Sequence, residues 1–258
     1  MGIWARPELW WRALIVVAAA GGLLTGDTRL AYYTTQSNLI VLGYFGAAVY
    51  WMVRRGSAEA AAPRLRGPVT LWILITGLVA HFLLTGGENP LPGLVGGDPA
   101  TLLAEWSTFL VHYVVPVMVL ADWLAFGPRR VSPWRDLPLW LIFPLGYAVV
   151  FLVRGALFPT VPVRYPYFFL DPSEGGYPGV ALWILILGAG ALALGALLLG
   201  FDRLRGRAGK GGHADGDGRG RGRRDEDGHA GEGRRGEDRR TDDEVPTARE
   251  QRSAATGA

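Results

Sequence analysis

Residues 101–126 read TLLAEWSTFLVHYVVPVMVLADWLAF, and this stretch decides the fold. Crossing a bilayer takes about 20 largely apolar residues, and the stretch is long enough. Yet it carries His112 near its middle. Ionisable side chains are expensive in hydrocarbon, so there they mark functional sites more often than in a soluble core. Glu105, Thr108 and His112 are spaced i, i+3, i+7, which predicts one shared helical stripe. Pro116 falls on that stripe one turn deeper. Proline frees a backbone carbonyl, which predicts a kink or a free acceptor beside the histidine.

Working outward, five further segments are long and apolar enough, at roughly 9–26, 34–53, 68–86, 134–158 and 177–201. Proline, glycine or charge bounds each of them. The first has no small-x-small cleavage site in its flank GGLLTGD at 21–27, so a retained helix is expected rather than a signal peptide. The expected fold is therefore all-α. A polytopic six-transmembrane-helix bundle spans 1–202, and a disordered charged tail follows over 203–258. That tail holds 14 of the 26 Lys and Arg, 12 of the 23 Asp and Glu, and no aromatic residue, so it cannot bury a core. Its GRGRGRR run at 218–224 is interrupted by acids downstream and lacks interleaved aromatics, so no nucleic-acid partner is expected. Its first basic cluster is placed to touch anionic membrane lipids. With no cysteine, disulfides, thiolate metal sites and Cys nucleophiles are excluded.

Arginine placement predicts the topology. Arg54, Arg55, Arg64 and Arg66 follow span two, Arg129, Arg130 and Arg135 follow span four, and Arg203, Arg205, Arg207 and Lys210 follow span six. The alternate loops carry only Arg29 and Arg164, against Asp27, Glu88, Asp98, Asp171 and Glu174. The positive-inside rule then predicts a multi-pass cell-membrane protein with both termini cytoplasmic. Trp10, Trp11, Trp51, Trp72, Trp106, Trp123, Trp134 and Trp140 lie near span ends, as an interfacial belt requires. The small residues Gly188-Ala189-Gly190-Ala191 and Gly195-Ala196 of span six predict close intramolecular packing, with a homodimer face as the alternative.

This orientation gathers the polar residues in the outer half. Thr34, Thr35, Gln36, Ser37 and Asn38 open span two, and His81 lies in span three. Glu105, Thr108 and His112 lie in span four, and Arg154 near the outer end of span five. Asp122 reads as a surface carboxylate near cytoplasmic arginines. The run at 34–38 exceeds what one helix cap needs. His81 reads as structural. Arg154 either snorkels outward or pairs with Glu105. The aromatic segment RYPYFFLDP at 164–172 is a lid over a cavity or an interfacial anchor, with equal weight.

The run YYTTQSNL at 32–39 and VHYVVP at 111–116 resemble the bacterial branch of the androgen-induced and androgen-dependent TFPI-regulating membrane proteins. The resemblance covers residues 1–202. In the animal members an intramembrane threonine and histidine are the proposed catalytic pair hydrolysing fatty-acid esters of hydroxy fatty acids. The resemblance implies the same roles for His112 and for Thr34 or Thr35, with Thr34 preferred. The chemistry is coherent on its own terms. A neutral histidine can take the proton of a threonine hydroxyl, Glu105 can orient the imidazole, and Arg154, Gln36 or Asn38 can stabilise an oxyanion.

Three functions compete. The first is an intramembrane lipid ester hydrolase using Thr34 or Thr35 with His112 and Glu105, with Gln36, Ser37, Asn38, His81, Thr108 and Arg154 around the substrate. The second is a non-enzymatic small transporter or lipid-binding scaffold. The third, a metal or haem site on His81, His112 and Glu105, is disfavoured because no local ligand spacing joins them. No cofactor is expected.

Overall fold

The computed structural model describes residues 2–26, 29–59, 62–95 and 98–211, and among these the chain is all-α. The helices are α1 (Pro7–Thr25), α2 (Tyr33–Arg55), α3 (Arg66–Val79), α4 (Pro99–Phe109), α5 (Val115–Ala125), α6 (Ile142–Leu157) and α7 (Pro172–Gly211). A π turn, Leu110–Val114, joins α4 to α5, so the seven helices form six rods. A second π turn, Ala80–Leu84, ends the third rod.

Five rods are long and apolar enough to cross a membrane. The exception is α2. Its 23 residues reach far enough, but Thr34–Asn38 at its start and Arg54–Arg55 at its end dilute the apolar run. Its middle is nonetheless core. Val41 and Phe45 of α2 pack with Ile15 and Ala19 of α1, Val69 and Ile73 of α3, and Val115 and Val119 of α5. In lipid such helices are held by close packing more than by release of water. Glycines permit the approach. A side chain at Gly77 would stand 2.8 Å from the His112 carbonyl oxygen, so α3 meets the π turn only because position 77 has none.

The π turn at 110–114 has a local cause. Pro116 has no N–H for the carbonyl of His112 four residues before it. The Val115 amide bonds the Leu110 carbonyl five residues back, so the rod widens by one residue and does not simply kink.

Several expectations need correction. Span six begins with a broken turn, since Gly176 has a φ of 61°, and its helix then runs on to Gly211, past the expected tail boundary at 203. The rest of that tail lies outside the described residues. Trp123 and Trp140 are buried, and the Trp72 indole donates to the Trp140 carbonyl at 2.6 Å, so these three belong to the bundle and not to a belt. Gly195 packs against Leu137 inside the molecule, while Gly188 and Gly190 have open space beside them.

Asp122 is no surface carboxylate, being 1% exposed. Arg12 donates to its Oδ1 at 3.1 Å and Arg66 to its Oδ2 at 2.9 Å, and both guanidiniums are buried. Arg66 also donates to the Asp122 carbonyl and, at 2.9 Å, to that of Phe126. Arg129 bonds the carbonyls of Trp123 and Leu124, and Arg205 bonds Leu124 as well. Three arginines thus bond carbonyls at the end of α5, including those of Trp123 and Leu124 in its last turn. Arg66, Arg129 and Arg205 therefore have a structural capping role.

Candidate active site

At the opposite end of the bundle, Thr34 in the first turn of α2 faces His112 in the π turn. The separation Thr34 Oγ1 to His112 Nε2 is 3.0 Å. The other ring nitrogen, Nδ1, lies 3.0 Å from the Thr108 carbonyl oxygen. A carbonyl only accepts, so Nδ1 carries the proton. In the neutral ring Nε2 then holds a lone pair, and the Thr34 hydroxyl donates to it. This is the tautomer a general base requires.

The neighbouring polar residues hold this pair in place. The Asn38 amide donates through Nδ2 to the Thr34 carbonyl at 2.9 Å and to the Val111 carbonyl at 3.2 Å. One side chain therefore ties the threonine's backbone to the histidine's turn. Ser37 Oγ sits 3.1 Å from the Thr34 carbonyl and 2.7 Å from Thr76 Oγ1, linking α2 to α3. Ser107 of α4 donates to the Gly22 carbonyl at 2.7 Å and fixes α1 against the same turn.

Not every expected group converges. Thr35 is buried one step round the helix, and the hydroxyl on Nε2 is that of Thr34. Glu105 is exposed and lies over Gly93, and the Thr108 carbonyl takes the orienting place at Nδ1. Gln36 donates to the Leu30 carbonyl at 2.7 Å, which fastens the loop before α2. Arg154 spends its guanidinium on the carbonyls of Val163 and Pro162, so it neither snorkels freely nor meets Glu105. His81, in the other π turn, faces the Tyr113 hydroxyl at 3.3 Å.

Two cavities meet at Thr34. One is a narrow apolar cleft of about 90 Å³ between α3, α6 and α7, walled by residues such as Ile75, Val79, Leu145, Ala148, Leu187 and Ala191. The other is open on one side, holds about 440 Å³ and is more polar, with Thr35, Ser107, Thr108 and His112 in its wall. Thr34, Leu84 and Tyr167 line both. The aromatic segment 164–172 folds inward over this junction. Phe169 and Leu170 are buried against Tyr33, Tyr147 and Val180, and Pro166, Tyr167 and Phe168 wall the polar cavity. Tyr167 was not foreseen from sequence. Its only signal was membership of that aromatic run.

Comparison with protein families, with characterised proteins and with solved structures finds no match in any of the three.

Proposed function

We propose that this helical membrane protein hydrolyses lipid esters within the membrane, with Thr34 as nucleophile and His112 as general base. The observation that carries the reading is the Thr34–His112 hydrogen bond, in the tautomer set by Thr108, at the junction of an apolar and a polar cavity. An acyl chain suits the first cavity, and the alcohol side of an ester, with water, suits the second.

The proton of Thr34 passes to His112 Nε2 as Oγ1 bonds the acyl carbon. The ester C–O bond then breaks, and the imidazolium returns that proton to the leaving alkoxide. Water repeats the sequence on the acyl-threonine, which releases the acid and restores Thr34. The family resemblance at 32–39 and 111–116 points to the same pair and adds fatty-acid esters of hydroxy fatty acids as a substrate class.

We take α2 as a sixth span. Its start meets His112, and its far end adjoins the end of the bundle where Arg12, Arg66 and Asp122 meet. The arginine-rich loops lie at that second end, so the positive-inside rule turns the site to the outer leaflet. A lipid-binding scaffold fits the same cavities without chemistry, and the Thr34–His112 bond favours catalysis over it. A transporter fits less well, because the apolar layer of Ile15, Val41, Phe45, Ile73, Val115 and Val119 fills the space between the two polar ends.

The test is ester hydrolysis by purified protein in detergent over a range of acyl chain lengths. Thr34→Ala and His112→Ala are expected to cut kcat by at least about a thousandfold, and Thr35→Ala to leave most activity. A fluorophosphonate probe is expected to label Thr34. Full activity in His112→Ala, or none in folded wild type on any ester, sinks the hydrolase reading.

A further inference from the structure

Attack by Thr34 places negative charge on the former carbonyl oxygen, and such charge needs a fixed donor. The donors expected from sequence are already committed. Both protons of the Asn38 amide go to carbonyls, Gln36 donates to Leu30, and Arg154 donates to its own loop. Of the three residues that line both cavities, Leu84 has no donor and Thr34 is the nucleophile. The third is Tyr167.

We propose that the Tyr167 hydroxyl is the oxyanion donor of this site, an inference that rests on the hydrolase reading above. The Tyr33 amide donates to Tyr167 Oη at 3.1 Å, a bond that uses the oxygen and not its proton, and the Thr34 side chain lies within hydrogen-bonding reach of the same phenol. Tyr33 opens α2, whose N-cap has no side-chain bond of its own, and the phenol stands in for the missing cap. An N–H at a helix start polarises the hydroxyl it binds and makes it a better donor. The ring stacks on Phe169 at 5.1 Å with planes 5° apart, and Phe169 is buried, so the hydroxyl is held rigidly. Burial, the largest influence, raises the phenol above its ordinary range, against smaller opposing effects from Thr34 and Tyr33, and this keeps it protonated. Tyr167 gives up no proton in the cycle. It shares its hydrogen with the oxyanion and keeps it when the carbonyl re-forms.

The experiment is Tyr167→Phe in the full chain, with wild type and His112→Ala in parallel. The expected result is a fall of about a hundredfold in kcat with KM little changed. Affinity for a lipid trifluoromethyl ketone is expected to fall by a similar factor, with binding of the product acid unaltered. A residue that only caps α2 would lower thermal stability and raise KM, without singling out the ketone. Wild-type kcat in Tyr167→Phe, beside a dead His112→Ala, overturns the inference and leaves the hydrolase reading standing. Full activity in His112→Ala overturns both. If Tyr167→Phe does not fold, a fluorinated tyrosine at 167 keeps the hydroxyl and makes it more acidic. The alkaline limb of kcat is then expected to move to lower pH, and an unmoved limb also overturns the inference.

Discussion

Asp122 stands between two guanidiniums, those of Arg12 and Arg66. Removing one member of a buried ion pair strands the others in a dry interior, at a cost of about 3–5 kcal/mol. Asp122→Ala is therefore expected to destabilise the protein by that amount in an unfolding titration in detergent, while Glu105→Ala, at an exposed position, is expected to cost under about 0.5 kcal/mol. Equal stabilities would show that the cluster contributes nothing. His112 was legible in the sequence because an ionisable group interrupts an apolar run. The cluster was not, because Arg12, Arg66 and Asp122 come from three distant segments and each sits near a span end, where charge is ordinary. Glu105 was misjudged for a geometric reason. The i, i+7 stripe assumes uninterrupted α-helical phase, and the π turn at 110–114 breaks that phase between Glu105 and the ring of His112.

Among the elements, α3, α6 and α7 define how far an acyl chain can extend. The cleft runs from Thr34 and Tyr167 to Leu141 and Ala191. Along α7 alone, Ile184 to Ala191 covers about 10 Å. Ala191 is a small, buried residue toward the end away from Thr34. Ala191→Phe is expected to lower kcat/KM for long-chain esters about tenfold or more and to spare short-chain ones. A chain-length series checks this, and an equal loss at every length would place the acyl group elsewhere. The helices themselves were readable, since the bilayer fixes their length. The cleft was not, because it depends on which faces of three rods are left apart, and hydropathy does not encode that.

For the whole molecule, thiol labelling reads sidedness. The chain has no cysteine, so a single introduced thiol reports without background. Glu88→Cys, in the exposed loop near the site, is expected to react with a membrane-impermeant maleimide in intact cells. Glu59→Cys, in an exposed loop at the other end, is expected to react only after permeabilisation. The reverse pattern would turn the site toward the cytoplasm. Hydropathy makes five rods readable as spans, while α2 falls short because of its polar ends, with Thr35, Ser37 and Asn38 buried at one and Arg54 and Arg55 exposed at the other. The rod made of α4 and α5 serves both ends of the bundle, with His112 aimed at Thr34 and, about 15 Å away, Asp122 aimed at two arginines. Each residue of an α-helix advances the face by about 100°. The extra residue at 110–114 thus acts as a phase shifter between two keyed ends. Deleting one residue there would leave the composition and span of the rod almost unchanged, yet either the imidazole or the carboxylate would face the wrong way. The site depends on how many residues the turn contains, as much as on which ones.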